Sequence, residues 1–141
     1  MKVKDVMTTD LKTCSPDTSV AAAAQLMWDG DCGILPVVDT NGELVGVVTD
    51  RDMYVALATR DARPSHLRVG TVATRELVTC EPEDDVLDAL ASMKKARVRR
   101  LPVTGFGNSL LGLVSINDIL LVTGHGQPIA SEAVIDALHG I

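Results

Sequence analysis

Gly46-Val47-Val48-Thr49-Asp50-Arg51-Asp52 occurs twice in this chain, the second time as Gly112-Leu113-Val114-Ser115-Ile116-Asn117-Asp118. In each copy an aliphatic run reads as the end of a buried strand, a hydroxyl residue follows, and three positions later a carboxylate opens a helix. A turn of this kind presents backbone N–H groups and the positive end of a helix dipole to an anion. The hydroxyl of Thr49 or Ser115 adds a donor for a phosphate oxygen. A carboxylate in the first helical turn suits a ribose, because an acceptor-only group takes hydrogen bonds from both vicinal hydroxyls. The competing reading is structural: Asp52 and Asp118 complement the dipole while Thr49 and Ser115 cap the helix. Taken one copy at a time, the structural reading accounts for the residues at least as well.

Outward from this turn the repetition continues. Residues 3–53 align with 69–119 at a constant offset of 66 without a gap, and 17 of the 51 positions are identical, among them Val3/Val69, Cys14/Cys80, Pro36/Pro102 and Asp52/Asp118. This is an internal duplication. About fifty residues are marginal for a self-sufficient core, so the copies are expected to pack face to face about an approximate two-fold axis, with both turns in one cleft system.

Each copy opens with a short extended piece, Val3 to Met7 or Val69 to Ala73, and a strand-like segment that stops at Pro16 or Pro82. Asp17 and Thr18, or Glu83 and Asp84, then supply acidic and capping groups for a helix. Its apolar face is Val20, Ala23, Ala24 and Met27 in the first copy and Val86, Ala89, Leu90 and Met93 in the second. A proline-bearing strand follows at Ile34 to Val38 or Arg100 to Val103, then a turn at Asp39-Thr40-Asn41-Gly42 or Gly105-Phe106-Gly107-Asn108. The third strand leads into the polar turn and a second helix. The fold class is therefore α/β, of the α+β kind, with two β-α-β-β-α repeats. Residues 1–58 form the first repeat, 59–68 an aperiodic connector and 69–124 the second; 125–141 hold a linker from His125 and a terminal helix capped by Ser131, with Val134, Ile135 and Leu138 on its apolar face.

Composition narrows the function classes. The 141 residues are 46% hydrophobic, as in a globular chain, yet Trp28, Tyr54 and Phe106 are the only aromatics, so a base-binding pocket must be lined by aliphatic side chains. A formal charge of -6 argues against a nucleic-acid partner. The N-terminus lacks an apolar signal core and no run reaches membrane-span length, so a cytoplasmic location with no membrane partner is the default. Cys14, Cys32 and Cys80 lack metal-ligand spacing and read as reduced packing residues; His66, His125 and His139 lie far apart, so no metal site is expected. Trp28 aligns with Lys94, which leaves two readings open: an indole at a subunit contact, or one folded over its own core edge.

As a set and in order, Val6-Met7-Thr8, Thr13-Cys14-Ser15-Pro16, Leu35-Pro36-Val37-Val38-Asp39, Gly42-Glu43-Leu44-Val45-Gly46 and Thr49-Asp50-Arg51-Asp52 resemble a tandem cystathionine-β-synthase (CBS) domain pair, or Bateman module, over roughly residues 1–124. The resemblance implies a non-catalytic module that takes an adenosine-containing ligand, commonly AMP, ADP or ATP and sometimes NAD or S-adenosylmethionine. It implies no obligatory cofactor, a homodimer of four repeats in a disc, and a signal to a protein partner. Carried over residue by residue, it puts ribose on Asp52 and Asp118 and phosphate on Thr49 and Ser115. Backbone and side chains around Thr13, Cys14, Ile34, Leu35 and Pro36, and around Thr79, Cys80, Leu101 and Pro102, would form the apolar slots for adenine, with either slot open to serve either aspartate.

The two copies depart from each other at the charges. Arg51 becomes Asn117, while Gly33 and Ile34 become Arg99 and Arg100, so each half has a candidate phosphate clamp drawn from a different place, the alternative for Arg99 and Arg100 being a solvated helix end shared with Lys94, Lys95 and Arg97; unequal affinities are expected. The leftover residues hold no output domain, so regulation is expected to act in trans. The alternative is a ligand-free dimerisation or scaffold module. Catalysis is not expected, because no nucleophile-base or metal-ligand motif is visible.

Overall fold

The structure, a computed structural model, describes residues 1–123 and 131–139. The chain divides into two compact units, and their boundaries are not those of the repeats: one is Leu11–Leu77, the other Met1–Asp10 together with the residues from Val78 on. Each repeat surrenders its opening segment to the other's unit.

In the unit of Leu11–Leu77, helix α1 (Val20–Gly30) starts at Ser19, whose side chain accepts the Ala22 amide at 3.0 Å, and ends at Asp31 in the left-handed conformation. Thr18, expected near the cap, instead accepts the Ser15 amide at 3.0 Å and closes the preceding turn. Strands β1 (Ile34–Val38) and β2 (Leu44–Thr49) pair antiparallel about a turn in which Asp39 Oδ1 accepts the amides of Asn41 and Glu43. Gly42 takes φ 78° there, a value that explains the glycine. Helix α2 (Asp50–Arg60) follows without a break, so Thr59 and Arg60 belong to it and not to the expected connector.

The two-stranded sheet is extended on both edges by single bridges, Cys14 parallel to Val37 and Thr74 antiparallel to Val47. Thr74 comes close because position 46 is glycine: a Cβ there would lie 3.0 Å from the Thr74 carbonyl oxygen. The expected first strand is thus one bridge at Cys14, and the expected extended opening piece is a single 3-10 turn, Val69–Thr71. Cys14, Val20, Ala23, Met27, Leu35, Val37, Val48, Met53 and Val69 make the core.

The second unit repeats the plan with α3 (Val86–Ala96), β3 (Arg100–Thr104), β4 (Leu110–Ser115) and α4 (Ile116–Thr123). Asp85, not Glu83 or Asp84, caps α3. Cys80 bridges Val103 and Thr8 bridges Leu113, where a Cβ on Gly112 would meet the Thr8 carbonyl oxygen at 2.7 Å. The opening segment again makes a 3-10 turn, Val3–Asp5, and fully buried Val3 enters this core. Lys2 and Lys4 both hold Glu83 and pull its carboxyl down to about 2, while Glu83 raises the Lys4 ammonium in return.

One element breaks the likeness. Helix α5 (Ser131–His139) packs on α3 and α4, burying Ala137 and joining Asp136 to Lys94 at 2.8 Å. Leu90 is buried in this unit, whereas its counterpart Ala24 stays exposed. Ile135 of the expected apolar face is half exposed, the side chains of Ser131 and Val134 lie outside the described residues, and so does the linker containing His125.

Candidate functional site

The two polar turns are built alike. Thr49 Oγ1 accepts the Asp52 amide at 3.1 Å while Asp52 Oδ2 accepts the Thr49 amide at 3.0 Å. Ser115 and Asp118 repeat the exchange at 3.0 and 2.9 Å. This reciprocal capping box satisfies two backbone donors and holds each carboxylate still. It also leaves chemistry to spare: Oδ1 of Asp52 and of Asp118 takes no hydrogen bond among the described residues, and each hydroxyl, used only as an acceptor, retains its proton to donate. Both aspartates are half-buried.

The amides of the first turn of α2 do not form the open anion cradle that the sequence suggests. Asp50 donates its amide to the Gly33 carbonyl at 3.0 Å, Arg51 donates to Asp50 Oδ1 at 2.8 Å, and Asp52 donates to Thr49. The Asp50 carboxylate already stands at the positive end of the dipole. Glycine at 33 makes room for it, since a Cβ would lie 3.2 Å from Asp50 Oδ2. In the second repeat Arg99 replaces that glycine and Ile116 replaces the acid, so the turn changes from acidic to basic surroundings.

Beside Asp52 lies a cavity of about 380 Å³. Asp52, Val55, Ala56 and Thr59 line it from successive turns of one face of α2, Arg51 and Arg60 flank it, and Val72 adds to the lining. The Arg60 guanidinium is steadied by the Thr71 carbonyl at 3.0 Å. Eight residues at the helical rise put Arg60 about 12 Å along the axis from Asp52. Arg60 was hidden in the sequence because its segment reads as connector; the signal lay in the spacing 52, 55, 56, 59, which continues past Ala58.

The expected adenine residues divide by strand alternation. Leu35 and Cys14 point into one core, Leu101 and Cys80 into the other, so their side chains line no slot. Burial lifts both thiols to about 11, the state of packing residues. Ile34 and Pro36 lie on the opposite sheet face, across the ladder from Thr49 and Val47. Pro102 sits across from Leu113, and Arg100 directly across from Ser115. Thr13 and Thr79 adjoin the bridging cysteines, at half-buried and partly exposed positions. None of Thr13, Ile34 and Pro36 enters the cavity beside Asp52. Arg51, Arg99 and Arg100 are exposed. Trp28 is 82% exposed, which excludes an indole folded over its own core.

No helix among the described residues is long and apolar enough to cross a membrane. The sequence profile of the CBS domain matches residues 3–59 and 69–124. The CBS domain-containing protein YhcV of Bacillus subtilis is 38% identical over 137 residues, which are 97% of this chain and 95% of that one. Among solved structures, the CBS domain pair of protein MJ0100 in complex with 5′-methylthioadenosine and S-adenosyl-L-methionine superposes with a TM-score of 0.80 at 26% identity, covering 90% of this chain and 98% of its own. CBSX2 in complex with AMP gives 0.75 at 28% identity, covering 86% and 95%.

Proposed function

The chain belongs to the CBS domain family, and from that premise we propose that it is a non-catalytic regulatory module that binds an adenosine-containing ligand and passes its occupancy to a protein partner in trans, as a homodimer. The observation that carries the reading is the spare acceptor on Asp52, fixed by the capping box above a cavity flanked by two arginines, with Asp118 prepared in the same way. Asp52 takes the vicinal hydroxyls of ribose, Thr49 donates to phosphate, and Arg51 and Arg60 bracket an anionic chain. In the second repeat Asp118 takes the ribose, and Ser115 with Arg100 across the ladder takes the phosphate. The ligands named with MJ0100 and CBSX2, S-adenosyl-L-methionine, 5′-methylthioadenosine and AMP, share the adenosine that this arrangement suits. The two sites differ in charge, so their affinities differ.

Calorimetric titration of AMP, ADP, ATP, NAD and S-adenosylmethionine into wild type, Asp52→Ala and Asp118→Ala tests this. Each substitution removes one binding event, and a ligand at 100 times its dissociation constant raises stability by about 2.7 kcal/mol. A panel that leaves the unfolding midpoint unmoved favours the second reading, a ligand-free dimerisation module. That reading has its own observation: the capping boxes give Asp52 and Asp118 a complete structural role.

A further inference from the structure

The Arg60 guanidinium flanks the cavity beside Asp52 and also ties down a second segment of the same unit. Nη2 donates to the Thr71 carbonyl at 3.0 Å and Nη1 to the Thr71 hydroxyl at 3.4 Å. Its remaining N–H donors take no partner among the described residues. Nor does Arg60 join any ion pair among them, although Asp61 follows it in the chain and Asp52, with Arg51 beside it, stands at the other end of the cavity. A positive charge with spare donors therefore borders the cavity without a counter-ion. Thr59 uses its hydroxyl proton on the Val55 carbonyl at 2.7 Å, which leaves the guanidinium as the donor at that end.

The segment that Arg60 holds is the one by which the chain leaves the unit. Thr71 ends the 3-10 turn, Val72 lines the cavity, and Thr74 exchanges backbone hydrogen bonds of 2.9 and 3.1 Å with Val47, a residue of the strand that runs into Thr49. Arg75 adds a tie to the Gly70 carbonyl at 3.3 Å. After Leu77 the chain passes to the other unit. At the same offset of 66 the second repeat carries Gly126, so its sequence supplies no matching guanidinium.

We propose that Arg60 is the residue through which ligand occupancy beside Asp52 reaches residues 71–74: its spare donors take an anionic group of the ligand while the others keep the Thr71 carbonyl and hydroxyl. A planar guanidinium serves two partners on different edges at once, and a charge-assisted bond on one edge fixes the group that the other edge depends on. The ligand thereby tightens the exit segment against β2, and the change leaves the unit along the chain toward Val78. This rests on the binding reading above and adds the residue that transmits it, in the first repeat alone.

Calorimetry and native-state hydrogen exchange test it in the Asp118→Ala background, which leaves the first site, with ATP and adenosine as probes. ATP slows the amides of Val47, Ala73 and Thr74 about tenfold relative to those of β1, as one charged hydrogen bond requires. Adenosine, which has the ribose without the phosphates, leaves that ratio unchanged. Arg60→Gln weakens ATP about tenfold, leaves adenosine alone, and abolishes the slowing at saturating ATP. Arg60→Lys recovers affinity for ATP without the slowing, because a point charge lacks the fork. If Arg60→Gln instead speeds these amides equally with and without ATP and leaves the affinity as it was, Arg60 is structural and the inference is overturned. So it is by a chain that binds adenosine or S-adenosylmethionine but not ATP. A chain that takes no ligand of the panel ends the binding reading itself, whereas bound ATP with residues 71–74 indifferent to Arg60 leaves that reading standing and overturns this one alone.

Discussion

Val3→Ala separates the repeats from the units. Val3 belongs to the first repeat, but its side chain is fully buried among Val86, Leu101 and Val114 in the core of the second unit. Removing two methyl groups forfeits about 0.8 kcal/mol of transfer free energy for each. A term for the incompletely collapsed void brings the cost to about 2 kcal/mol. At about 1.4 kcal/mol per decade, that is roughly a thirtyfold rise in the population of openings that expose this core. Native-state hydrogen exchange reads it directly, because amides released by opening one unit accelerate by the same factor. The amides of Leu113 and Thr8, paired at 2.9 and 2.8 Å, and those of β3 and β4 exchange about thirtyfold faster, while β1 and β2 hold their rates. Acceleration in β1 and β2 with β3 and β4 unchanged, or equal acceleration in both, refutes the assignment of residues 1–10 to the second unit as a separately opening body.

Three further outcomes follow from the same structure. Gly112→Ala forces a methyl to within 2.7 Å of the Thr8 carbonyl, so limited proteolysis of the variant cuts within residues 1–10 while the wild type resists. Cys14 and Cys80 remain protonated to about pH 11 in the native state, so at pH 8 an aromatic disulfide reagent titrates half-buried Cys32 first; because burial raises both thiols from 9.0, stability is full below pH 9 and falls as pH rises toward 11. Glu83, lowered from 4.5 to about 2 by Lys2 and Lys4, holds the N-terminal segment above pH 4.5 and releases it as pH falls toward 2; a carboxyl NMR titration of Glu83 shows this midpoint, and it returns toward 4.5 in the Lys2→Ala, Lys4→Ala double variant.

Much of the local structure was legible because it is set by near neighbours. The turn signals at Asn41-Gly42, the helical spacing of Val20, Ala23 and Met27, and the hydroxyl-x-x-carboxylate turns all appear where their side-chain and backbone chemistry requires. The helix caps fall one residue beyond the expected ones, at Ser19 and Asp85, because Thr18 and Asp84 serve the turn before the helix instead. The expected anion cradle is changed for a related reason: Asp50, read only as a helix opener, folds back and accepts the Arg51 amide, one of the donors the cradle would use. The expected slots took backbone and side chains around Pro36 and Pro102 together; a pleated strand sends neighbours to opposite faces, so Leu35 and Leu101 turn their side chains into the cores and leave their backbone to the slots expected there.

The amino-acid order alone determined that this protein is a duplicated α/β unit with an acid-tipped turn in each copy, since a gapless offset and a hydroxyl three residues before a carboxylate are visible without coordinates. Only the tertiary structure decided which segments share a core. Val3 and Val69 are equivalent apolar residues in sequence, and nothing within either repeat states that each fills the core built by the other; that depends on pairings between Thr8 and Leu113 and between Thr74 and Val47, whose partners lie far away along the chain. The same holds for Arg60, which joins Asp52 only because α2 runs on for two turns after the motif has ended.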